Sequence, residues 1–527
     1  MSYAAPHIGW LQIAPLAIVL GTGLVGVLVE AFVPRRARRT TQLVLVFAAL
    51  VAALLLIVAQ WRDTMASGGV SLFGGSYLLD GPALAIQGTL VVLSILAVAV
   101  FADRTSVGQD AFAPAAAAVP GSDYEELARR KGLEQTEVYP LAMFGLGGML
   151  LIVAAGDLLT LFVALEALSM PLYVLTGLAR RRRLLSQEAS LKYLLLGSFA
   201  SALLLFGAAL LYGFSGSLHL GEIAAATGTI AGLEGLLLGG MTLLLIGLFF
   251  KVGAVPFHAW TPDVYVGAPT PVTGFMAATT KIAAFGAMVR VVYVVGPSLQ
   301  WDLEPMLWTV AILTMVVGTV VALVQTDVKR MLAYSSIAHA GFVLVGVLAF
   351  STEGIASVLF YLVVYGLATI GAFAVVTLVR QTRTGAEGTV ILGEATHLAQ
   401  WAGLGRRSPW LAGALSLFLL SFAGIPLTAG FAGKFTVFTA AADGGAVPLV
   451  VVGVIASAAA VFFYVRLIVL MYFTPEREEE GEEGVTVVTS SGFTTVVIAV
   501  AAIGTVLLGV LPGPLLELLG QAVKFLP

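Results

Sequence analysis

The chain contains no cysteine among its 527 residues. That absence excludes disulfides, thiolate zinc sites, haem thiolates and cysteine-held iron–sulfur clusters. Charge is also scarce: only 11% of residues are Asp, Glu, Lys or Arg, against about 25% in an ordinary soluble domain. Such a composition cannot cover a water-facing surface, which excludes a soluble enzyme. The net charge of −3 gives no case for nucleic-acid binding. The five histidines show no HExxH spacing, so a metal site is not expected. There is no phosphate loop and no short-period repeat. Residues 1–10 lack a basic segment and a cleavage site, so no removable signal peptide is expected.

What the chain has instead is apolar residues, 59% of the total, and a mean hydropathy of +1.00. A spanning helix needs about 20 mainly apolar residues. By that ruler, spans are predicted near 10–33, 41–60, 81–103, 139–155, 158–178, 188–213 and 234–256. Further spans fall at 270–295, 303–324, 331–350, 353–380, 409–439, 447–473 and 493–518, fourteen in all. The fold class expected is therefore an all-α polytopic membrane protein. If alternate loops share a side, beginning with Arg35–Arg39, nineteen basic residues collect on that side and two on the other. The remaining six lie inside spans. This asymmetry puts the basic loops in the cytoplasm and both termini in the periplasm. Two cytoplasmic loops stand out: 104–138, rich in Ala and Pro, and 474–490, with the acidic run Glu476–Glu480. Gly145-Leu146-Gly147-Gly148 lies in an apolar span, where glycines serve close helix packing.

An ionisable residue inside a span costs about 2.5–3.5 kcal/mol and is by default functional. Glu166, Lys251, Lys281 and Lys434 sit too deep to snorkel. Lys192, Arg290 and Arg466 lie nearer span ends, where snorkelling competes with a functional role. Lysine matters because a buried lysine can release its proton, whereas arginine stays charged. Glu166 with Lys251 is then either a switchable proton site or a fixed salt bridge. Pro256 and Pro426 free the carbonyls of Val252 and Phe422, and such loosened backbone survives at membrane depth only inside protein or beside a cavity. The breaks fall in the seventh and twelfth spans, the fourth members of two five-helix units, helices 4–8 and 9–13. Matching interruptions of this kind mark an inverted-repeat transporter. His258 and His339 follow the same line, as relay groups of near-neutral pKa or as satisfied core donors.

These residues carry a resemblance. The segments are Gly156–Leu161 leading to Glu166, Glu188–Tyr193, Pro256–Val272 (PFHAWTPDVYVGAPTPV) with Lys281, Asp327–His339 (DVKRMLAYSSIAH), and Gly424–Phe435 (GIPLTAGFAGKF). Over roughly 139–473 the chain resembles the antiporter-like membrane subunits of bacterial respiratory complex I, and within that family the N-subunit branch. The resemblance implies proton translocation driven by electron transfer in partner subunits. It makes Glu166 and Lys251 an interacting pair, with Lys192 modulating Lys251. Lys281 becomes the central relay, Lys434 the terminal site, and His258 and His339 bridge the gaps with water. It implies no cofactor in this chain; NADH, FMN, iron–sulfur clusters and quinone belong to partner subunits of the peripheral and membrane arms. The implied location is the bacterial inner membrane. The implied organisation is a three-helix segment (1–103), a loop insertion (104–138), two five-helix repeats (139–295 and 303–473), an acidic loop (474–490) and a last helix (491–527). Two rival readings are a subunit of a multi-subunit cation/proton antiporter and a non-conducting scaffold.

Overall fold

The computed structural model of the chain describes residues 9–104, 111–113, 122–124, 127, 131, 135–180, 182–385, 388–475 and 483–527. Most of the 104–138 loop and the run Glu476–Glu480 lie outside the described residues. The first helices are α1 (Trp10–Phe32), α2 (Arg35–Ser67), α3 (Gly81–Ala102), α4 (Val138–Ile152) and α5 (Leu158–Thr176). Then come α6 (Arg183–Ser215), a short α7 (Leu220–Thr227), α8 (Glu234–Val252), a short α9 (Trp260–Gly267) and α10 (Thr270–Val294). The second half holds α11 (Gln300–Leu323), α12 (Val328–Val347), α13 (Thr352–Leu378), a one-turn α14 (Leu404–Arg407) and α15 (Pro409–Ala423). It ends with α16 (Ala429–Asp443), α17 (Val447–Phe473), α18 (Phe493–Val510) and α19 (Gly513–Gly520).

Each of the fourteen expected spans meets a helix or a pair of half-helices. Twelve helices among the described residues are long and apolar enough to cross a membrane, and α4 and α15 are shorter apolar helices. Side-chain oxygens start several of them: Asp80, Asp157, Asp327 and Ser351 each accept a backbone N–H in the first turn of α3, α5, α12 and α13. Burial sorts the helices. The apolar window of α10 is wholly buried and those of α12 and α13 are 89% buried, whereas α1, α17 and α18 bury a third or less. The polar-bearing helices thus form the centre, and the outer ones turn Leu, Val and Phe outward, as lipid-facing helices do. The glycines of α4 serve close approach as expected: a Cβ on Gly148 would lie 2.3 Å from the backbone N of Leu168 in α5.

Three details differ from the sequence reading. The breaks begin before the prolines: α8 stops at Gly253 (φ +75°) and α15 at Gly424 (φ +81°). A glycine in the left-handed region closes the last turn, and the following proline prevents resumption. Second, Lys329 and Arg330 are not loop residues. The Asp327 cap starts α12 three residues early, so both sit in its first turn. Third, the chain is not purely helical. Strand β1 (Val70–Leu72) pairs with β2 (Tyr77–Leu79), and β3 (Val379–Gly385) lies between β4 (Gly388–Glu394) and β5 (Glu483–Val487) in an antiparallel sheet. The expected span 353–380 accordingly ends as a helix at Leu378, where Val379 begins a strand.

Candidate proton path

The three deep lysines are buried to within a few per cent: Lys251 and Lys281 are 2% exposed and Lys434 is 4% exposed. Each lies on a different helix, α8, α10 and α16. None makes an ion pair among the described residues. Their partners are neutral oxygens and aromatic faces.

At the first site the ammonium of Lys251 donates to Ser169 Oγ at 2.6 Å and to Tyr193 OH at 3.3 Å. It lies 5.1 Å from the ring centre of Tyr193 and 5.8 Å from that of Tyr173, within cation–π range. Ser169 stands one turn along α5 from Glu166. Glu166 and Lys251 do not touch directly. Glu166 Oε1 is buried without a hydrogen-bond partner among the described residues. The neighbouring Tyr193 ring stacks on Trp260 at 4.6 Å, and Trp260 Nε1 donates to the carbonyl of Phe250.

Lys192 does not reach Lys251. Its ammonium bridges Glu188 (2.7 Å) and Asp263 (2.8 Å), and its side chain is 43% exposed. His258 lies in the turn after the α8 break, partly buried, with its ring 6.4 Å from that of Tyr334.

The middle site is Lys281, whose ammonium donates to the carbonyl of Ser336 in α12 and sits 6.0 Å from the ring of Tyr365. The hydroxyls of Ser336 and Tyr265 are 3.2 Å apart. One turn along α12 is His339, whose Nδ1 is 2.7 Å from Tyr361 OH and whose Nε2 is 3.3 Å from Tyr464 OH. Tyr464 OH in turn meets Ser335 Oγ at 2.5 Å. The His339 ring also packs at 5.4 Å on Phe422, the residue whose carbonyl receives the third lysine.

That third site closes on the second helix break. Pro426 has no N–H to give Phe422 O, and Lys434 takes its place. Its ammonium donates to Phe422 O (2.8 Å), Ala423 O (3.2 Å) and Ser457 Oγ (2.7 Å), with the Phe342 ring 4.7 Å away. The lysine thus stitches the broken end of α15 to α16 and α17.

Arg290 corrects the sequence reading outright. It does not snorkel. It is fully buried and binds both oxygens of Asp80 at 2.8 Å, as well as the carbonyl of Val153. Asp80 also accepts the N–H of Leu526, so the pair fastens the C-terminal residues to α3 and α10. Arg466, by contrast, is partnered by the carbonyl of Leu323 at the exposed end of α11, consistent with snorkelling. The sequence reading gave no role to Ser169, Tyr193, Asp263, Tyr265, Tyr361, Ser457 or Tyr464. Ser335 and Ser336 were visible only as part of Asp327–His339. Among the described residues no three His, Asp or Glu side chains come together as a metal site would require.

The family described as NADH:quinone oxidoreductase/Mrp antiporter, TM matches residues 155–460. The NADH-quinone oxidoreductase subunit N of Beutenbergia cavernae is 63% identical over the full length of both chains. A chain of respiratory complex I from Thermus thermophilus superposes with a TM-score of 0.75 at 31% identity, covering 96% of this chain and 99% of that one. A chain of the Mrp complex from Dietzia has the same fold, with a TM-score of 0.74 at 21% identity over 97% of both. The chain therefore belongs to the NADH:quinone oxidoreductase/Mrp antiporter transmembrane family, on the branch of the bacterial NADH-quinone oxidoreductase subunit N proteins.

Proposed function

We propose that this chain translocates protons as the N subunit of a bacterial NADH-quinone oxidoreductase, along Glu166, Lys251, His258, Lys281, His339 and Lys434, with Lys192 acting on the first site from its flank. The observation that carries this reading is that three deep lysines face neutral oxygens. A buried ammonium without a counter-ion is costly, and lysine, unlike arginine, can shed its proton. Burial without a carboxylate in direct contact therefore makes each lysine a site whose charge a neighbour can change. Serine, tyrosine and histidine groups between them both donate and accept, which proton transfer requires. The family relationship supports the same reading.

The redox cofactors NADH, FMN, iron–sulfur clusters and quinone then reside in partner subunits, as the family relationship implies, and for the clusters this fits a chain without cysteine ligands. Redox energy must reach these lysines through conformation or charge. The two five-helix units, 139–295 and 303–473, form an inverted repeat whose breaks at Gly253 and Gly424 correspond. The chain lies in the inner membrane with both termini periplasmic. Reporter fusions at the termini check that orientation; a cytoplasmic signal refutes it.

The experiment on function is Lys251→Ala in the purified, reconstituted complex. Protons moved per NADH oxidised should fall while complex content stays normal. A wild-type ratio overturns the assignment. Copurification with peripheral flavin and iron–sulfur subunits is expected; a complex containing only antiporter-type membrane subunits would favour cation/proton exchange instead.

A further inference from the structure

One short element touches both of the first two lysine sites. Helix α9, only eight residues long, begins with Trp260, which stacks on Tyr193, an acceptor of the Lys251 ammonium. Five residues later Tyr265 places its hydroxyl on that of Ser336, whose carbonyl receives Lys281.

The short helix has little intrinsic stability, since isolated helices below about 12 residues are marginal. Side chains from both halves of the molecule fasten it. Lys329 of α12 donates to the carbonyls of Val266 and Ala268, closing its C-terminal end. Asp263, in its first turn, takes Lys192 of α6 on Oδ2 at 2.8 Å and Arg330 of α12 on Oδ1 at 3.1 Å. Glu188 completes the group on Lys192. The four side chains are two cations and two anions, so the set is neutral as it stands, and Asp263 is the one member bonded to both halves. It is partly exposed, with 31% of its side chain accessible, so its bonds can be remade without burying a bare charge.

We propose that α9 is the coupler between the Lys251 and Lys281 sites and that Asp263 is its positioning residue, fixing the helix by bridging Lys192 of the first five-helix unit to Arg330 of the second. A change of charge at Lys251 pulls on Tyr193 and Trp260. The helix transmits the displacement to Tyr265 and Ser336, and the two bonds of Asp263 set where it rests. The inference builds on the lysine path proposed above, whose own failure is read separately.

The test measures protons moved per electron in reconstituted complex, with complex content and NADH oxidation rate as controls. Asp263→Asn keeps the shape and removes the charge. It should lower the ratio as far as Lys281→Ala does, with oxidation continuing, and Asp263→Glu should restore it. Arg330→Met, which cuts only the bond to the second unit, should reproduce the Asn effect. A wild-type ratio in Asp263→Asn and Arg330→Met, alongside a lowered ratio in Lys281→Ala, overturns the coupler and leaves the path intact. A wild-type ratio in Lys281→Ala overturns the path itself. If Asp263→Asn does not assemble, Arg330→Met decides. Loss of assembly in both, or failure of Glu to rescue, assigns the network to folding and also refutes the proposal.

Discussion

Lys434 is both a stitch and a candidate proton carrier, and the structure separates the two roles. In Lys434→Met the apolar stem is kept and the donor removed. Three acceptors lose a partner: Phe422 O, Ala423 O and Ser457 Oγ. Ala423 O keeps a bond, because Ser457 Oγ also donates to it at 3.3 Å. Phe422 O has no substitute, since Pro426 cannot donate. One buried carbonyl is therefore orphaned, at a cost of about 1–3 kcal/mol. That cost is local to the break, where it corresponds to about 5- to 150-fold faster opening. Hydrogen–deuterium exchange of the 422–432 segment in the assembled complex should accelerate within that range, with distant helices unchanged. Unchanged exchange at the break would refute the stitch. Pumping provides the second readout. Arginine keeps the charge and the donors but does not release a proton at physiological pH. If Lys434 carries protons, Lys434→Arg should restore slow exchange at the break yet pump as poorly as the methionine variant. Full pumping with arginine would make Lys434 a fixed charge.

Two further predictions concern how the bundle is held. Arg290→Met leaves the Asp80 carboxylate buried with only backbone donors, so it should destabilise the subunit by about 3–5 kcal/mol, while adding Asp80→Leu recovers part of the loss; thermal unfolding of the three variants checks this, and additive losses would show the pair is not coupled. Asp103, beyond the end of α3, accepts Ser490, Ser491 and the N–H of Thr494 and so caps α18. Burial pushes its carboxyl up, but those bonds pull it further down, to a net value below the usual Asp range. Its stabilisation is therefore complete above about pH 3.9 and lost as pH falls through the lower folded value. Asp103→Ala should cost about 0.5–2 kcal/mol at neutral pH and remove that acid dependence from α18, followed by exchange of its first turn.

The fold was legible wherever hydropathy alone decides. Each expected apolar run meets a helix or a pair of half-helices, although two of the nineteen basic residues assigned to loops, Lys329 and Arg330, lie in the first turn of α12. The helix breaks were legible from Pro256 and Pro426 but displaced, because a left-handed glycine ends each helix before the proline can. The deep lysines were legible as charges in an apolar run. Their partners were not, because Ser169 and Tyr193 stand 82 and 58 residues from Lys251 and nothing local announces the contact. Arg290 was misread for the same reason: a position near a span end fits snorkelling, and its partner Asp80 lies 210 residues away. Glu166 and Lys251 were paired first as two buried charges and then by resemblance, but the side chains place Ser169 at the lysine instead. The β3–β4 hairpin was missed because a loop of mixed polar and β-branched residues carries no apolar period.

The most direct measurement of proton carriage by buried lysine is the proton-to-electron ratio of reconstituted complex bearing Lys281→Arg, at matched complex content. Lys281 is 2% exposed on α10, whose apolar window is wholly buried, and its hydrogen-bond partner is a neutral carbonyl. A proton-carrying Lys281 predicts a ratio as low as that of Lys281→Ala, because arginine holds its proton. A wild-type ratio in Lys281→Arg would contradict it and reduce the central lysine to a permanent charge.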